Sequence, residues 1–384
     1  MPAFSLEPEQ RTWCAELREL AARRLRPLAD RGTPGRVNRP LVAELGALGL
    51  TARLFTSGAL GLCLMRESLA RECAEAETAL ALQGLGAHPV HTHGSAAQRD
   101  RWLPGVGEGR LVAAFALSEP GAGSDAAALQ LAALADGAQG WTLTGEKCWI
   151  SNAPEADFYT VFARTTPGAG ARGITAFLVP ADRPGLTGTP LDMLSPHPIG
   201  ALRFDGVPVT RADVLGEVGG GFRVAMDTLR LFRPSVGAFA VGMAQAALDA
   251  TLAHTAGRDA FGGKLADLQS VAHQVAEMSL RTEAARLMVY AAASAYDTGG
   301  PDDPEVPRRS AAAKLLATET AQFVVDTAVQ LHGAAALRRG HPLEHLYREV
   351  RAPRIYEGAS EVQRSIIAKE LYRGLRERAE GAGR

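Results

Sequence analysis

Apolar and polar positions recur with two different periods along this chain, and the change of period divides it into three parts. From about residue 7 to 110 the apolar positions follow a helical period, as Trp13, Leu17, Leu20 and Leu25 do. The stretch "GSAAQRDRWLPGVGEGR" predicts a short serine-capped helix that ends at a turn of proline and glycine. These patterns predict an N-terminal helical domain over residues 1–110.

The second part of the chain consists of short runs rich in β-forming residues. Examples are "GWTLTGEKCWISNA", "DFYTVFART" and "GITAFLVPA", which are separated by Gly, Pro, Asp and Asn. This spacing predicts a compact antiparallel β domain over residues 111–215.

Helical periodicity returns after "LGEVGGGF" and continues to the end of the chain. The first helix predicted there is apolar over much of its surface, as an inner helix of a bundle is. Later helices are predicted to end at the Gly299–Gly300 pair and at Gly333. Residues 216–384 are thus predicted to form a helical bundle, and the whole chain to form one interlocked α+β enzyme.

Composition narrows the classes of function. With 384 residues, 46% of them hydrophobic, the chain has material for a large core. A net charge of −1 favours neither nucleic acid nor a membrane surface. No membrane span, secretory signal or CxxC pair is evident. The sequence therefore predicts a cytoplasmic protein with reduced thiols, no metal, no nucleic acid and no membrane.

Two stretches of the β domain are candidates for ligand binding, and each has an ordinary alternative. "FALSEPGAGSD" combines Ser118 and Ser124 with glycines that allow a ligand close to backbone N–H groups, although a plain turn has the same composition. It is not a GxGxxG motif, so a Rossmann site is not supported. In "GEKCWISNAPEAD", Trp149 beside Ser151 suits either a flat heterocycle or an ordinary core position.

A third stretch, "GRDAFGGKLADLQ", lies between two predicted helices. Its Arg258 suits a pyrophosphate, and Phe261 and Gln269 accompany it, whereas the ordinary alternative is a solvated loop. His88, His91 and His93 in "HPVHTH" match no zinc-binding spacing and are predicted to be ordinary histidines.

The stretch "YEGASEVQ" places a carboxylate, Glu357, just before a predicted helix. Ser360 and Gln363 have the spacing of a capping box, so the helix is predicted to start at Glu361. The helix N-terminus would favour the ionised carboxylate, and desolvation by an apolar ligand would raise its pKa. Those are the requirements for a base that attacks a carbon acid, although an ordinary loop glutamate has the same pattern.

The order of six stretches resembles the acyl-CoA dehydrogenase family over nearly the whole chain. They are "FALSEPGAGSD", "KCWISNA", "GGGFRVAMDTL", "RDAFGGKLADLQ", "QLHGA" and "RIYEGASEVQRSIIAKEL". The resemblance implies an α+β fold with an N-terminal helical domain, a middle antiparallel β domain and a C-terminal four-helix bundle domain. It also implies an FAD-dependent oxidoreductase.

By this resemblance, Glu357 is expected to remove the α-proton of an acyl thioester while a β-hydride passes to N5 of FAD. The backbone N–H of Glu357 and a ribityl hydroxyl of the flavin are expected to hold the thioester carbonyl. Flavin contacts are implied for Ser118, Ser124, Trp149, Ser151, Arg258, Phe261, Gln269, Gln330, Gly333, Ala334, Ala359 and Glu361. Substrate contacts are implied for Ser124, Arg230, Arg233, Tyr356 and Gly358.

The expected partners are an acyl-CoA substrate and an electron-transfer flavoprotein as acceptor. The flavin contacts of Arg258, Phe261, Gln269 and the Gln330–Ala334 segment are expected to cross a subunit interface. The resemblance therefore implies a homo-oligomer, either a dimer or a dimer of dimers.

Three other functions remain open from the sequence. The first is the same chemistry on a substrate tethered to an acyl- or peptidyl-carrier protein, for which Arg230 beside Arg233 suits an acidic carrier surface. The second is a flavin oxidase or monooxygenase-like relative that uses oxygen. The third is a flavoprotein without catalysis, against which the presence of Glu357 argues.

Overall fold

The computed structural model describes residues 5–137 and 140–382. Its α-helices are α1 (Pro8–Leu20), α2 (Arg26–Ala29), α3 (Arg39–Ala47), α4 (Leu50–Arg53), α5 (Gly58–Glu72), α6 (Ala74–His93), α7 (Ala96–Gly107), α8 (Gly221–Gly257), α9 (Gln269–Gly299), α10 (Val306–His332), α11 (Pro342–Glu349) and α12 (Ser360–Ala382). Its strands are β1 (Ala113–Ala116), β2 (Ala132–Asp136), β3 (Gly140–Ser151), β4 (Phe158–Arg164), β5 (Ile174–Pro180), β6 (Leu186–Pro190), β7 (Ile199–Thr210), β8 (Val214–Leu215), β9 (Asp259–Ala260) and β10 (Gly263–Lys264). The predicted order of helices, strands and helices is confirmed.

Helix ends follow the local signals in the sequence. Ser95 caps α7 in a reciprocal box with Gln98, as the sequence predicted. Gly300 follows α9 and Gly333 follows α10, each with a left-handed φ that stops the helix.

The described residues form two compact units. The helical unit comprises Gly58–Glu77 and the described parts of Met1–Arg23 and Arg230–Arg384. The sheet unit comprises Arg24–Ser57 and Thr78–Leu229.

The sheet unit is built on an eight-stranded sheet in the order β6-β7-β3-β2-β4-β5-β8, with β1 paired to β4. Alternate residues of β4 enter two different cores: Phe158 and Phe162 pack in one, and Tyr159 and Val161 in the other. Burial on both faces explains why β4 and β5 are continuous apolar runs rather than alternating ones. The pairings of β4 with β1 and with β2 are parallel, so the sheet predicted to be antiparallel is mixed.

In the helical unit, α8, α9 and α10 pack closely. A Cβ atom on Gly237 of α8 would come within 2.7 Å of Val289 on α9 and 3.4 Å of Ala317 on α10. The buried positions of α10 are mostly alanine, valine, serine and threonine, whose small side chains allow this approach.

One described helix, α8, has the length and composition to cross a membrane. Of its most apolar window, 67% is buried within the fold. A core helix meets the same criteria, so α8 is weak evidence for a membrane span.

Candidate active site

Glu357 occupies a tight turn between the short 3-10 turn Ala352–Arg354 and α12. Its backbone is left-handed, with φ of 52°, and Gly358 follows with φ of 101°. A left-handed φ costs a residue that carries a Cβ atom about 1–2 kcal/mol, so other contacts must hold the turn. The prediction that Glu357 lies in a loop just before a helix is confirmed.

Side chains from three helices bind the two carbonyl groups of this turn. Arg233 Nε on α8 donates to the Glu357 carbonyl at 3.1 Å, and Lys314 Nζ on α10 donates to the Gly358 carbonyl at 2.7 Å. Gln363 Nε2 on α12 donates to both carbonyls, at 3.2 and 2.9 Å. The backbone N–H of Glu357 donates to no group in the described chain.

The carboxylate of Glu357 is aimed into the protein. Its Oε2 atom is buried without a hydrogen-bond partner among the described residues. Burial raises the pKa of Glu357, and the positive charges of Arg66, Lys314 and Arg233 oppose that rise. The carboxylate is thus desolvated and close to cations, but free to accept a proton.

A buried ion pair, which sequence reasoning missed, acts on this carboxylate. Arg66 on α5 is 3% exposed; its Nε donates to Glu77 and its Nη1 donates to Ser235 Oγ at 2.6 Å. Burial lowers the pKa of Arg66, but Glu77 and then Glu357 outweigh burial and raise it overall. The available signal was its place in the apolar run "GLCLMRESLA" of α5, where a charge has to be buried.

Tyr356 shares this environment. Burial raises the pKa of its hydroxyl far above the ordinary value, and the charges of Glu77 and Glu357 act in the same direction. The phenol therefore stays neutral and able to donate a hydrogen bond.

Pro234 shapes the turn of α8 that carries Arg230 and Arg233. Proline has no N–H, so the helix leaves the Arg230 carbonyl without its usual donor. The Ser310 hydroxyl of α10 donates to that carbonyl at 3.2 Å and satisfies it. Arg233 is only 8% exposed and is directed at the Glu357 turn, whereas Arg230 is half-buried.

The predicted capping box at Ser360 and Gln363 is wrong, although the helix begins within one residue of the predicted start. The Ser360 hydroxyl donates to Glu319 at 2.6 Å, a carboxylate that also pairs with Arg354. The Gln363 amide nitrogen donates to the carbonyls of Glu357 and Gly358. The two side chains of the box therefore bind other groups.

In the sheet unit, the candidate flavin residues lie on one loop and at the end of β3. Trp149 has a left-handed φ of 58° next to a register shift and is 45% exposed. The carbonyl of Ser118 accepts from Cys148 at 3.0 Å, which fixes the loop to β3. Ser124 is exposed in the loop, and Ser151 Oγ lies 3.5 Å from His197 Nε2.

A buried lysine holds that loop. Lys147 Nζ donates to Glu119 at 2.8 Å and to the Leu117 carbonyl at 2.9 Å. Glu119 in turn accepts from the backbone of Gln130 and Leu131. Burial lowers the pKa of Lys147 to about 8, and Glu119 opposes that shift.

The candidate flavin residues of the helical unit are exposed, apart from Ala359. Phe261 is 90% exposed with a left-handed φ of 54°, at the tip of the β9–β10 hairpin. His254 stacks on His332 with ring centroids 4.1 Å apart, which brings the segment before Arg258 close to the end of α10. The other exposed candidates are Arg258, Gln269, Gln330, Gly333, Ala334 and Glu361, and Ala359 is half-buried.

The three histidines of "HPVHTH" do not form a metal centre. Burial lowers the pKa of His88 to about 4, and His93 Nε2 lies 3.4 Å from Asp227. Within residues 5–137 and 140–382, no cluster of three or more His, Cys, Asp or Glu side chains has the geometry to hold a metal ion.

Comparison with known proteins agrees with this architecture in each part of the chain. The acyl-CoA dehydrogenase N-terminal, middle and C-terminal domain models match residues 7–110, 114–207 and 219–372. The probable acyl-CoA dehydrogenase fadE25 of Mycobacterium leprae is 37% identical over 96% of this chain and 97% of its own. The chain belongs to the acyl-CoA dehydrogenase family.

Solved structures of acyl-CoA dehydrogenases and related proteins have the same fold. Butyryl-CoA dehydrogenase from Megasphaera elsdenii superposes with a TM-score of 0.89 at 33% identity, over 96% of this chain and 99% of its own. PigA with FAD and proline superposes with a TM-score of 0.90 at 29% identity, over 97% and 99%.

This acyl-CoA dehydrogenase is a flavin-dependent oxidoreductase, and its cofactor is FAD. The described residues fit that group in three ways. Trp149 presents an exposed aromatic face and Arg258 an exposed guanidinium, as a flat ring and a pyrophosphate require. In the helical unit, Glu357 Oε2 is a buried oxygen that lacks a partner.

Proposed function

We propose that this enzyme oxidises an acyl-CoA to the trans-2-enoyl-CoA, with Glu357 as the base that removes the α-proton. The observation that carries the proposal is the buried Glu357 Oε2 atom, which has no partner in the described chain. Bound FAD supplies the acceptor for the β-hydride. The remaining roles fall to side chains and backbone groups of the chain.

Two properties of Glu357 support its role as the base. Burial raises its pKa and so strengthens it as a base, while the charges of Arg66, Lys314 and Arg233 favour the ionised form. A bound acyl chain would exclude more water and raise the basicity further. The raised pKa of the Tyr356 hydroxyl excludes a competing phenolate base beside it.

The free N–H of Glu357 supports a second role in the same turn. It is a donor without a partner in the described chain, next to the proposed base. A hydrogen bond from it to the thioester carbonyl would stabilise the enolate that forms as the proton leaves. Because hydrogen bonds already hold the turn, the N–H would not have to reorient when the substrate binds.

We propose that FAD is held by Ser118, Ser124, Trp149, Ser151, Arg258, Phe261, Gln269, Gln330, Gly333, Ala334, Ala359 and Glu361. Ala359 has no hydroxyl, so only its backbone is available to the cofactor. The exposure of Phe261 and Arg258 supports contacts made across a subunit interface, in a homodimer or a dimer of dimers. A cytoplasmic location and an electron-transfer flavoprotein as acceptor belong to the same proposal.

For the substrate we propose contacts with Ser124, Arg230, Tyr356 and Gly358. Arg233, which sequence analysis placed near the CoA, donates to the Glu357 carbonyl, and that contact supports a role at the base instead. Arg230 is half-buried and its Nη1 donates to the Pro301 carbonyl at 3.4 Å, and we propose that the same guanidinium contacts the CoA end.

Glu357→Gln tests the base, with Glu277→Gln, an exposed glutamate of α9, as the matched control. We expect the Glu357→Gln protein to stay yellow with bound FAD while butyryl-CoA no longer bleaches the flavin under anaerobic conditions. Loss of a positioned base should lower the rate of bleaching by about 10²–10⁴-fold. Bleaching at the wild-type rate would show that another group takes the proton.

A second candidate is the same reaction on a substrate bound to a carrier protein. The half-buried Arg230 favours an acidic partner, and PigA, a neighbour in fold, has been observed with proline. This candidate would be selected if the wild-type protein does not oxidise any of a panel of acyl-CoAs but oxidises an acyl group attached to a carrier protein. Rapid peroxide formation in air would select an oxidase.

A further inference from the structure

We propose that Lys314 and Gln363 are positioning residues that lock the Glu357–Gly358 turn and thereby aim the base and its free N–H. This inference rests on the proposed role of Glu357. The two side chains come from different helices, α10 and α12, and meet at the carbonyl of Gly358. They do not touch the carboxylate themselves.

The placement of Lys314 points to this role. It is fully buried, and among the described residues no carboxylate lies within ion-pair distance of its Nζ. A buried ammonium without an ion pair is expensive, and burial lowers the pKa of Lys314 to about 8. Among the described residues its Nζ atom donates only to the Gly358 carbonyl, so this costly buried ammonium binds the turn.

Gln363 on α12 binds the same turn through its side-chain amide. It is fully buried, and its single amide nitrogen bridges the two successive carbonyls. A Cβ atom at position 358 would come within 2.4 Å of that nitrogen, so the bridge requires glycine there. Glycine at position 358 therefore serves two purposes: it leaves room for the bridge, and it adopts the left-handed φ of the turn.

The consequence for the base follows from backbone geometry. Tying both carbonyls to donors of the helical unit fixes the peptide planes before and after Gly358. The Glu357 N–H lies in the preceding peptide plane, so its direction depends on the φ and ψ angles at which the fixed turn holds Glu357. Glu357 would otherwise relax from φ of 52° toward the right-handed region, which is lower in energy. That rotation would swing the carboxylate, and a displacement of about 1 Å can lower a rate by about 10²-fold.

Lys314 and Gln363 differ in charge, which separates positioning from electrostatics. Lys314 lowers the pKa of Glu357 by attraction, whereas the amide of Gln363 carries no charge. Removing either should impair positioning, but only removing Lys314 should raise the pKa of the base.

The experiment compares Lys314→Met, Gln363→Leu and the control Thr282→Val in FAD-loaded enzyme with butyryl-CoA as substrate. Thr282 is a buried residue of α9 whose hydroxyl bonds only to its own helix. We expect Lys314→Met and Gln363→Leu to lower kcat between about tenfold and 100-fold, and Thr282→Val to leave it unchanged. The acid limb of the kcat/KM profile should move to higher pH in Lys314→Met and stay in place in Gln363→Leu.

Folding and rescue are measured on the same samples. Lys314→Arg keeps a donor and a charge, and it should return the acid limb to its wild-type position. Gln363→Leu preserves volume, so it decides the question if Lys314→Met yields no folded holoenzyme. If Lys314→Met and Gln363→Leu lower the melting temperature but leave kcat and the pH profile unchanged, both residues have only structural roles. That result would overturn the inference. Failure of the proposed function would be seen separately, as wild-type bleaching by Glu357→Gln.

Discussion

At the scale of single residues, Glu357 combines two features that are each unfavourable for folding. Its backbone is left-handed, and its carboxylate is partly desolvated with one oxygen unpaired. Unfavourable features of this kind persist where the surrounding structure fixes them and are frequent at active sites. The hydrogen bonds from Arg233, Lys314 and Gln363 to the turn provide that support.

The raised pKa of Glu357 predicts how its replacement changes stability with pH. The folded pKa lies above the unfolded one, so the folded state binds the proton more tightly. The ionised side chain therefore destabilises the fold above the folded pKa, and this cost disappears as the pH falls toward about 4.5, the ordinary value.

We therefore expect Glu357→Gln to have a higher melting temperature than the wild type at pH 8, and the difference to shrink toward pH 5. Calorimetry of both proteins across this range provides the measurement, with Glu277→Gln as the control for an exposed glutamate. A difference that grows as the pH falls would mean that the pKa of Glu357 is lowered rather than raised.

At the scale of elements, local sequence signals predicted most of the helices and strands. The caps at Ser95, Gly300 and Gly333 act through nearby atoms, so their prediction did not require the fold. The box at Ser360 failed because Glu319, which is 41 residues away in sequence, takes its hydroxyl. Local spacing cannot reveal a competitor that only tertiary packing brings close.

The same limit explains why the surroundings of Glu357 were missed. Lys314 and Arg66 lie in helical stretches where a lone cation ordinarily faces solvent. Only the packing of α10 and α5 shows that both are buried. Glu357 could be proposed as the base from the sequence because the order of the motifs singles it out, whereas Lys314 and Arg66 belong to no motif.

The buried ion pair between α5 and the first turn of α6 supports an element-scale prediction. Arg66→Met leaves Glu77 buried without its guanidinium, which should cost about 3–5 kcal/mol in the free energy of unfolding. The double variant Arg66→Met, Glu77→Gln removes both charges and should regain most of that loss. Denaturant unfolding of the two variants measures the difference.

Arg66→Met also changes the base in a predictable direction. Arg66 is the largest of the charges that lower the pKa of Glu357, so the acid limb of kcat/KM should move to higher pH. The double variant should show the same direction of shift, since Arg66 is absent from it too. Equal stability of the single and double variants would mean that Glu77 finds another partner.

At the scale of the whole molecule, the candidates fall into two classes that the fold separates. The Glu357 turn is held by helices of its own unit, whereas Arg258 and Phe261 are exposed to solvent. In a family member that binds FAD, exposed cofactor candidates are explained if a second subunit brings the cofactor to them. A site shared in this way makes catalysis a property of the oligomer.

Mixed oligomers test that sharing directly. Arg258→Ala and Glu357→Gln should each be poorly active at limiting FAD, the first through weak FAD retention and the second through loss of the base. If each site takes its base from one subunit and its Arg258 from another, random mixing restores both groups in about a quarter of the sites. Co-expression of the two variants at equal levels, followed by purification through one tag carried by both, yields the random mixture for assay.

The control pairs Glu357→Gln with Arg308→Ala, a half-buried arginine of α10 that has an ion pair with Glu305. Mixing that pair should leave about half of the sites active, since only the base is lost. Activity in the Arg258→Ala and Glu357→Gln mixture no higher than in the separate variants would place the whole site in one subunit. Recovery to about half of the control mixture would instead establish that each base works on a flavin held by its neighbour.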